Sequence, residues 1–322
     1  MIITICQPML DIRIKCEKSL LENLDLEENG YVQINGKNNY LLEKLQDLKA
    51  VRLSSGGTSL NTFIFLSKKG NIPLYFIGSV GNDKYLKIIE NELDILNIKY
   101  SFEIFDNNRT AKCFVLLNGR QRSLVTDLGA STCLSLKYVD TCLCNLPKNV
   151  FFYMSGFMIA AHLELSFHIL DILKKNQLIL NLSSYTLFSG SEYFFIKKYF
   201  DISNVVVGNF EEFYSFYKRV FGKEPINIRQ ILVELGYKNQ TLICTDGGKD
   251  IYYTKNGKVY SSKIDKYLGD NVDTCGAGDA FAAGILYGFY NKYSIEEIIE
   301  IGKDWSEEYI LENTKMIQEL IF

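Results

Sequence analysis

The segment DTCGAGDAFAAGIL, Asp273 to Leu286, sets three small residues, Gly276, Ala277 and Gly278, directly before Asp279 and then runs into an apolar stretch of helical character. A glycine-rich turn that opens a helix exposes a row of backbone N–H groups, and the helix dipole adds about half a positive charge, so an anion is stabilised there. A carboxylate one residue further on competes with that anion unless it has a task of its own. Transfer of a phosphoryl group to an alcohol needs both parts: preorganised donors for the charge in flight, and a proton acceptor for the attacking hydroxyl. The plain alternative for Asp279 is a helix-start aspartate, stabilising by ~0.3–1 kcal/mol. The small run Ala280, Ala282, Ala283 and Gly284 lets such a helix approach a sheet or ligand closely.

Other phosphate chemistries fit poorly. The Gly-Lys-Ser/Thr ending of a P-loop is absent, and GAGDAF lacks the third glycine of a dinucleotide turn and comes late in the chain. The chain has two histidines, His162 and His168; their spacing of six puts them on different faces of a helix, at solvated or half-buried positions, so neither a metal pair nor a histidine-activated nucleophile is expected.

Composition narrows the partners. The 322 residues are 47% apolar and 23% charged, enough for a large core in one big domain with an appendage or in two domains. A formal net charge of −3 offers no field for nucleic acid or an acidic membrane, so small molecules are the expected ligands. Eight cysteines without CxxC pairing read as thiols of a reducing, cytoplasmic compartment. The opening MIITICQPMLDIRIK carries Asp11 where a signal core would be apolar, and reads as a strand.

These residues need a scaffold. The runs VFFYMSG, LILNLS, VVVGN and TLICT have the continuous apolar character of strands buried on both faces, and AHLELSFHILDILKK and EEFYSFYKRV between them have helical periodicity. That alternation predicts a mostly parallel sheet flanked by helices, with ligands at the carboxyl ends of its strands. In the first third, TAKCFVLLNGRQRSLVTDL has Asn118-Gly119 at the turn of a predicted hairpin, which joins the opening strand in a smaller sheet. The adjacent Gly56 and Gly57 lead from that sheet into a helix, as a hinge or as a tight turn.

The residues resemble a known family. DTCGAGDAFAAG is similar to the D-T-x-G-A-G-D signature of the ribokinase-like carbohydrate and nucleoside kinases, GGTSLNT to their Gly-Gly-x-x-x-Asn segment, and FIGSVGNDKYL to their F-x-G-x-x-G-x-D-x-x-G motif, with Leu86 where glycine is usual. GNFEE matches Asn-x-x-Glu, and TDGGKD stands at the family's Thr-x-Gly turn. QPMLDI, NGRQRSLVTDLGAS, YMSGFMI and ILNLSS most resemble the adenosine-phosphorylating branch. The resemblance runs from Asp11 to about Tyr290 and implies a ribokinase-like α/β fold: a large Rossmann-like domain (1-10, 54-99 and 129-322) and a small β-sheet lid (11-53 and 100-128).

It also implies roles. Asp279 is the base, with Gly276, Ala277 and Gly278 as N–H donors and Arg122 neutralising charge from the lid, where Arg120 is a nearby substitute. Asp11, Gly56, Gly57 and Asn61 form the sugar site, and Phe157 walls the base pocket; Gln7 replaces the usual asparagine. Asn209, Glu212, Thr245 and Gly247 serve the nucleotide side, the first two organising magnesium through water. ATP is the implied phosphoryl donor, and a monomer is expected. The phosphate machinery alone leaves open another nucleoside or sugar as acceptor, and an inert nucleoside-binding relative. The segment KDWSEEYILENTKMIQELIF is more charged than the family's continuation, which leaves the contacts to the adenine of ATP open.

Overall fold

The computed structural model describes residues 1–119, 121–144, 146–147, 149–264, 268 and 272–321, of which 320 and 321 by backbone alone. In chain order the strands are β1 (Ile2–Ile5), β2 (Met9–Lys15), β3 (Tyr31–Gln33), β4 (Arg52–Gly56), β5 (Leu74–Gly81), β6 (Lys99–Phe105) and β7 (Ala111–Asn118). Then follow β8 (Gln121–Asp127), β9 (Phe151–Ser155), β10 (Gln177–Asn181), β11 (Val205–Asn209), β12 (Thr241–Thr245), β13 (Ile251–Lys255) and β14 (Lys258–Ser262).

Nine of them make one sheet in the order β14-β13-β12-β11-β10-β9-β1-β5-β6, parallel from β12 to β6, with β13 and β14 added antiparallel. The four apolar runs are its centre: Phe152, Leu180, Val206 and Leu242 are fully buried, as strands covered on both faces must be. Helices α1 (Thr58–Lys69), α2 (Phe210–Phe221), α3 (Ala277–Tyr290) and α4 (Ile295–Ile321) matter most for the site. The small residues of α3 serve its packing on α4, since a methyl placed on Gly284 would lie 2.7 Å from the Cα of Gly302.

The second sheet has the order β3-β8-β7-β2-β4. Its hairpin closes where Asn118 pairs with Gln121, with Gly119 left-handed at φ 56°. The opening apolar run feeds both sheets: β1 lies inside the large one and β2 inside the small one, so the chain crosses between them over Cys6, Gln7 and Pro8.

Three local expectations are corrected. Strand β6, placed with the lid from sequence, is the edge of the large sheet, paired parallel to β5, whereas β4 extends the small sheet to Gly56. The run AHLELSFHILDILKK is broken into helices Leu163–His168 and Leu170–Leu173 behind Gly156–Ala161, because His162 leaves helical geometry at φ −132° and ψ 62°. His162 itself is buried, its Nε2 2.9 Å from the carbonyl of Ser131, and burial lowers its pKa; His168 is exposed against Asp140 at 2.8 Å.

Helix α4 is fixed to α1 by rings: Phe65 lies 5.8 Å from both Trp305 and Tyr309, centroid to centroid. Phe65→Ala is therefore expected to destabilise the protein by ~3–5 kcal/mol in denaturant unfolding; a loss under ~1 kcal/mol would mean that the ring contacts hold little.

Candidate active site

The carboxyl ends of the central strands open beneath the small sheet, and the chain crossing between the sheets brings Asp11 there, on the third residue of β2. Asp11 stands opposite Ser54 on β4, and a Cβ on Gly56 would fall 2.1 Å from its Oδ1, so a larger residue there would push the carboxyl from its place. Gly57 follows at φ 96°, with the carbonyl of Gln7 2.7 Å from where its Cβ would stand, and turns the chain into α1. Glu92 fixes this corner by accepting the Ser55 N–H at 2.9 Å. Burial pushes the Asp11 carboxyl up to about 6, opposed by the Arg13 guanidinium and reinforced by Glu92. Arg13 is held in turn by donating to Ser54 Oγ at 2.8 Å.

One turn into α1, Asn61 donates from Nδ2 to Asp279 Oδ2 at 3.2 Å. Asn61, expected in the sugar site, thus holds the carboxylate at the start of α3. Beneath it, Asn181 donates to Tyr153 Oη at 3.0 Å, and Thr62 Oγ1 lies 3.3 Å from the same hydroxyl. Burial pushes Asp279 up to about 7 against the pull of the Asn61 amide, and the charges of Asp11 and Glu212 add to the rise. The turn before it has the left-handed residue a helix entry of this shape requires: Gly276 at φ 86°. The Ala277 N–H, expected as a donor to an anion, is already engaged by the Thr274 carbonyl at 3.1 Å.

Arg122, on β8 of the small sheet, is ion-paired with Asp273, the first residue of the signature. Asp273 also accepts the Cys275 N–H at 2.8 Å, and its own N–H donates to Thr314 Oγ1 at 2.8 Å. Arg120 lies outside the described residues.

Asn209 and Glu212 form a reciprocal cap on α2. The Asn209 side chain accepts the Glu212 N–H at 2.9 Å, while the two Glu212 oxygens accept the Asn209 backbone N–H at 3.0 Å and its amide at 2.9 Å. Burial pushes Glu212 up to about 7, opposed by the Asn209 N–H and reinforced by Glu211. Thr245 stands opposite Asn209 in register on β12, and Gly247 follows at φ 57°. Among the described residues no cluster of three His, Cys, Asp or Glu could hold a metal directly. Phe157 is 36% exposed on the first turn of helix Gly156–Ala161, after β9.

The structure therefore brings Asp11, Gly56, Gly57, Asn61, Gly276 and Asp279 together, pairs Arg122 with Asp273 of the same turn, and leaves Phe157, Thr245 and Gly247 at or just after other strand ends. Sequence reasoning missed Asp273 as the partner of Arg122, although the signature begins with it, and missed Thr314 and Tyr309, for which no motif exists.

Residues 30–311 match the pfkB family of carbohydrate kinases. The adenosine kinase of Saccharomyces cerevisiae is 26% identical over 327 residues, covering 94% of this chain and 92% of that protein. Adenosine kinase 2 of Arabidopsis thaliana is 24% identical over 314 residues, covering 92% and 89%. The fold is shared with the adenosine kinase of Schistosoma mansoni in complex with 2-fluoroadenosine (TM-score 0.84, 23% identity, 96% and 94% of the chains). It is shared too with apo adenosine kinase of Trypanosoma brucei brucei (TM-score 0.85, 20% identity, 96% and 98%). No helix among the described residues is long and apolar enough to cross a membrane.

The raised carboxyls carry a sign. Asp279 keeps its proton in the native state up to about pH 7, whereas in the unfolded chain it ionises near its ordinary 3.8, so native Asp279 binds more protons between those values. Stability contributed there falls as pH rises through that window. Asp279→Asn is expected to raise the unfolding free energy at pH 8 by roughly 1–3 kcal/mol and to change it little at pH 4, as read by denaturant unfolding; an equal effect at both pH values would contradict the raised pKa.

Proposed function

The chain belongs to the pfkB family of carbohydrate kinases, and from that premise we propose that it transfers the γ-phosphoryl group of ATP to the 5′-hydroxyl of adenosine, giving AMP and ADP. One observation carries the reading: a carboxyl held near neutrality directly behind a glycine turn at a helix start, joined through Asn61 and the Gly56-Gly57 corner to a second carboxyl, Asp11. The two carboxyls divide the work of a sugar-alcohol kinase. Asp11 offers two oxygens to the vicinal ribose hydroxyls, beside a glycine corner that admits a ring. Asp279 takes the 5′-hydroxyl proton as that oxygen attacks the γ-phosphorus and the bond to the ADP oxygen breaks.

The Gly276 and Gly278 N–H groups and the dipole of α3 stabilise the spread charge, each donor contributing ~3 kcal/mol by the measure of oxyanion holes. Arg122 adds its charge once exchanged from Asp273. Thr245 and Gly247, beside Asn209, flank the phosphate side, and Phe157 walls the nucleobase. Both oxygens of Glu212 are already hydrogen-bonded, so the donor set fits a magnesium ion kept in its water shell and carried by the phosphates. Held so by Asn209 and Glu212, magnesium would neutralise phosphate charge.

We place this activity in purine salvage, in a cytoplasmic monomer; eight free cysteines suit a reducing compartment. Purified protein with Mg-ATP is expected to form ADP with adenosine, and not with inosine, guanosine, uridine, ribose or fructose; turnover with ribose or fructose instead would overturn the adenosine reading. Asp279→Asn is expected to cut kcat by ~10²–10⁴ while leaving adenosine Kd nearly unchanged, and retained turnover would remove Asp279 as the base.

A further inference from the structure

Helix α4 runs antiparallel to α3: Ile298 lies against Gly288, Gly302 against Gly284, and Tyr309 against Gly276. With 27 residues against 14, it is about 40 Å long beside about 21 Å, so the turns after Tyr309 pass beyond the start of α3. The start of α3 is the anion turn, and the overhang enters the space between it and the small sheet.

Four contacts fix the overhang there. The Tyr309 hydroxyl stands 2.5 Å from where a Cβ on Gly276 would be, close enough to Asp279, Asp273 and Arg13 to feel their charges. Thr314 Oγ1 accepts the Asp273 N–H at 2.8 Å, on the residue that neutralises Arg122. Ile317 packs on the cluster of Cys113, Val115 and Leu117, and Arg52 of β4 donates to Met316 Sδ. In register, Cys113 stands beside Asp11, and Leu117 opposite Arg122, so Ile317 covers the face of the small sheet that carries both functional side chains.

We propose that the overhang of α4, from Ile310 to Ile317, is an internal plug that competes with the nucleoside for the apolar face of the lid and steadies the turn on which Asp273 holds Arg122. Its hold suits a displaceable element. The base of α4 is anchored by Trp305 and Tyr309 against Phe65, whereas, among the described residues beyond Tyr309, Leu311, Glu312, Lys315, Gln318 and Glu319 are exposed, Asn313 is buried, and Ile317 meets the lid cluster. Adenosine entering beneath the lid takes the place of Ile317. Displacing the overhang also removes the Thr314 contact to the Asp273 backbone N–H and so loosens the turn whose carboxylate holds Arg122. The inference rests on the nucleoside reading of the cleft for its ligand, and on the packing of α4 alone for the plug.

The test uses the full chain and two variants, Ile317→Asp and Thr314→Ala, with adenosine binding by calorimetry and hydrogen exchange of the amides of 309–319. A plug lowers the apparent affinity by the fraction of molecules that are open, so Ile317→Asp is expected to tighten adenosine binding by on the order of tenfold, and Thr314→Ala by less. In the parent, saturating adenosine is expected to speed exchange in 309–319. Weaker or unchanged binding in Ile317→Asp, or slower exchange on adding adenosine, would make these turns a wall of the pocket and overturn the plug. If no form binds adenosine, the nucleoside reading falls by itself, and the plug is decided by exchange without ligand: Ile317→Asp must then speed exchange in both 309–319 and the β7–β8 hairpin, and unchanged rates overturn it.

Discussion

The site is organised around a half-buried carboxyl, Asp279, at the start of α3. A carboxylate behind a glycine turn gains from the helix dipole, yet burial pushes its pKa to about 7, and the side chain that donates to it is the neutral amide of Asn61. A cation in that place would hold the carboxylate firmly ionised and far too weak a base for an alcohol. An amide orients it while leaving its proton affinity near neutrality. The rest of the site follows from that choice: Asn61 must be one turn from a tight corner, the corner must be Gly56-Gly57 to clear Asp11 and Gln7, and the positive charge must come from elsewhere, on Arg122.

Arg122 is where the two sheets meet electrostatically. Its partner Asp273 belongs to the same turn as the anion donors, so the small sheet is tied to the point where phosphoryl charge would develop. On the proposed function, an incoming anion would compete with Asp273 for one guanidinium and so couple the small sheet to occupancy of the turn. The Glu212 carboxyl is committed in a similar way, both its oxygens closing the cap with Asn209 that starts α2.

Much of this was legible in the sequence because it is local. The glycine turn, Asp279, Asp11 and the Gly56-Gly57 corner each depend on residues within a few positions, and the four apolar runs are the centre of the large sheet. What failed was long-range. Strand β6 has the mixed burial of an edge strand, covered on one side only, and its KYSFEIF pattern looks the same whichever sheet it joins. The contact of Asn61 with Asp279 spans 218 positions of sequence, a link that no local motif encodes. The pairing of Asp273 with Arg122 and Thr314, and the reach of α4 past the start of α3, depend on helix lengths and crossing geometry that no short motif encodes.

The central claim is that Asp279 removes a proton and does not itself bond to phosphorus. The most direct measurement is the stereochemical course of transfer from ATP made chiral at its γ-phosphorus with oxygen isotopes. A single in-line attack by the nucleoside oxygen inverts the configuration at phosphorus, and inversion is the result predicted here. Retention would require two displacements through a phosphorylated enzyme, would cast a carboxylate of this cleft as nucleophile, and would contradict the account.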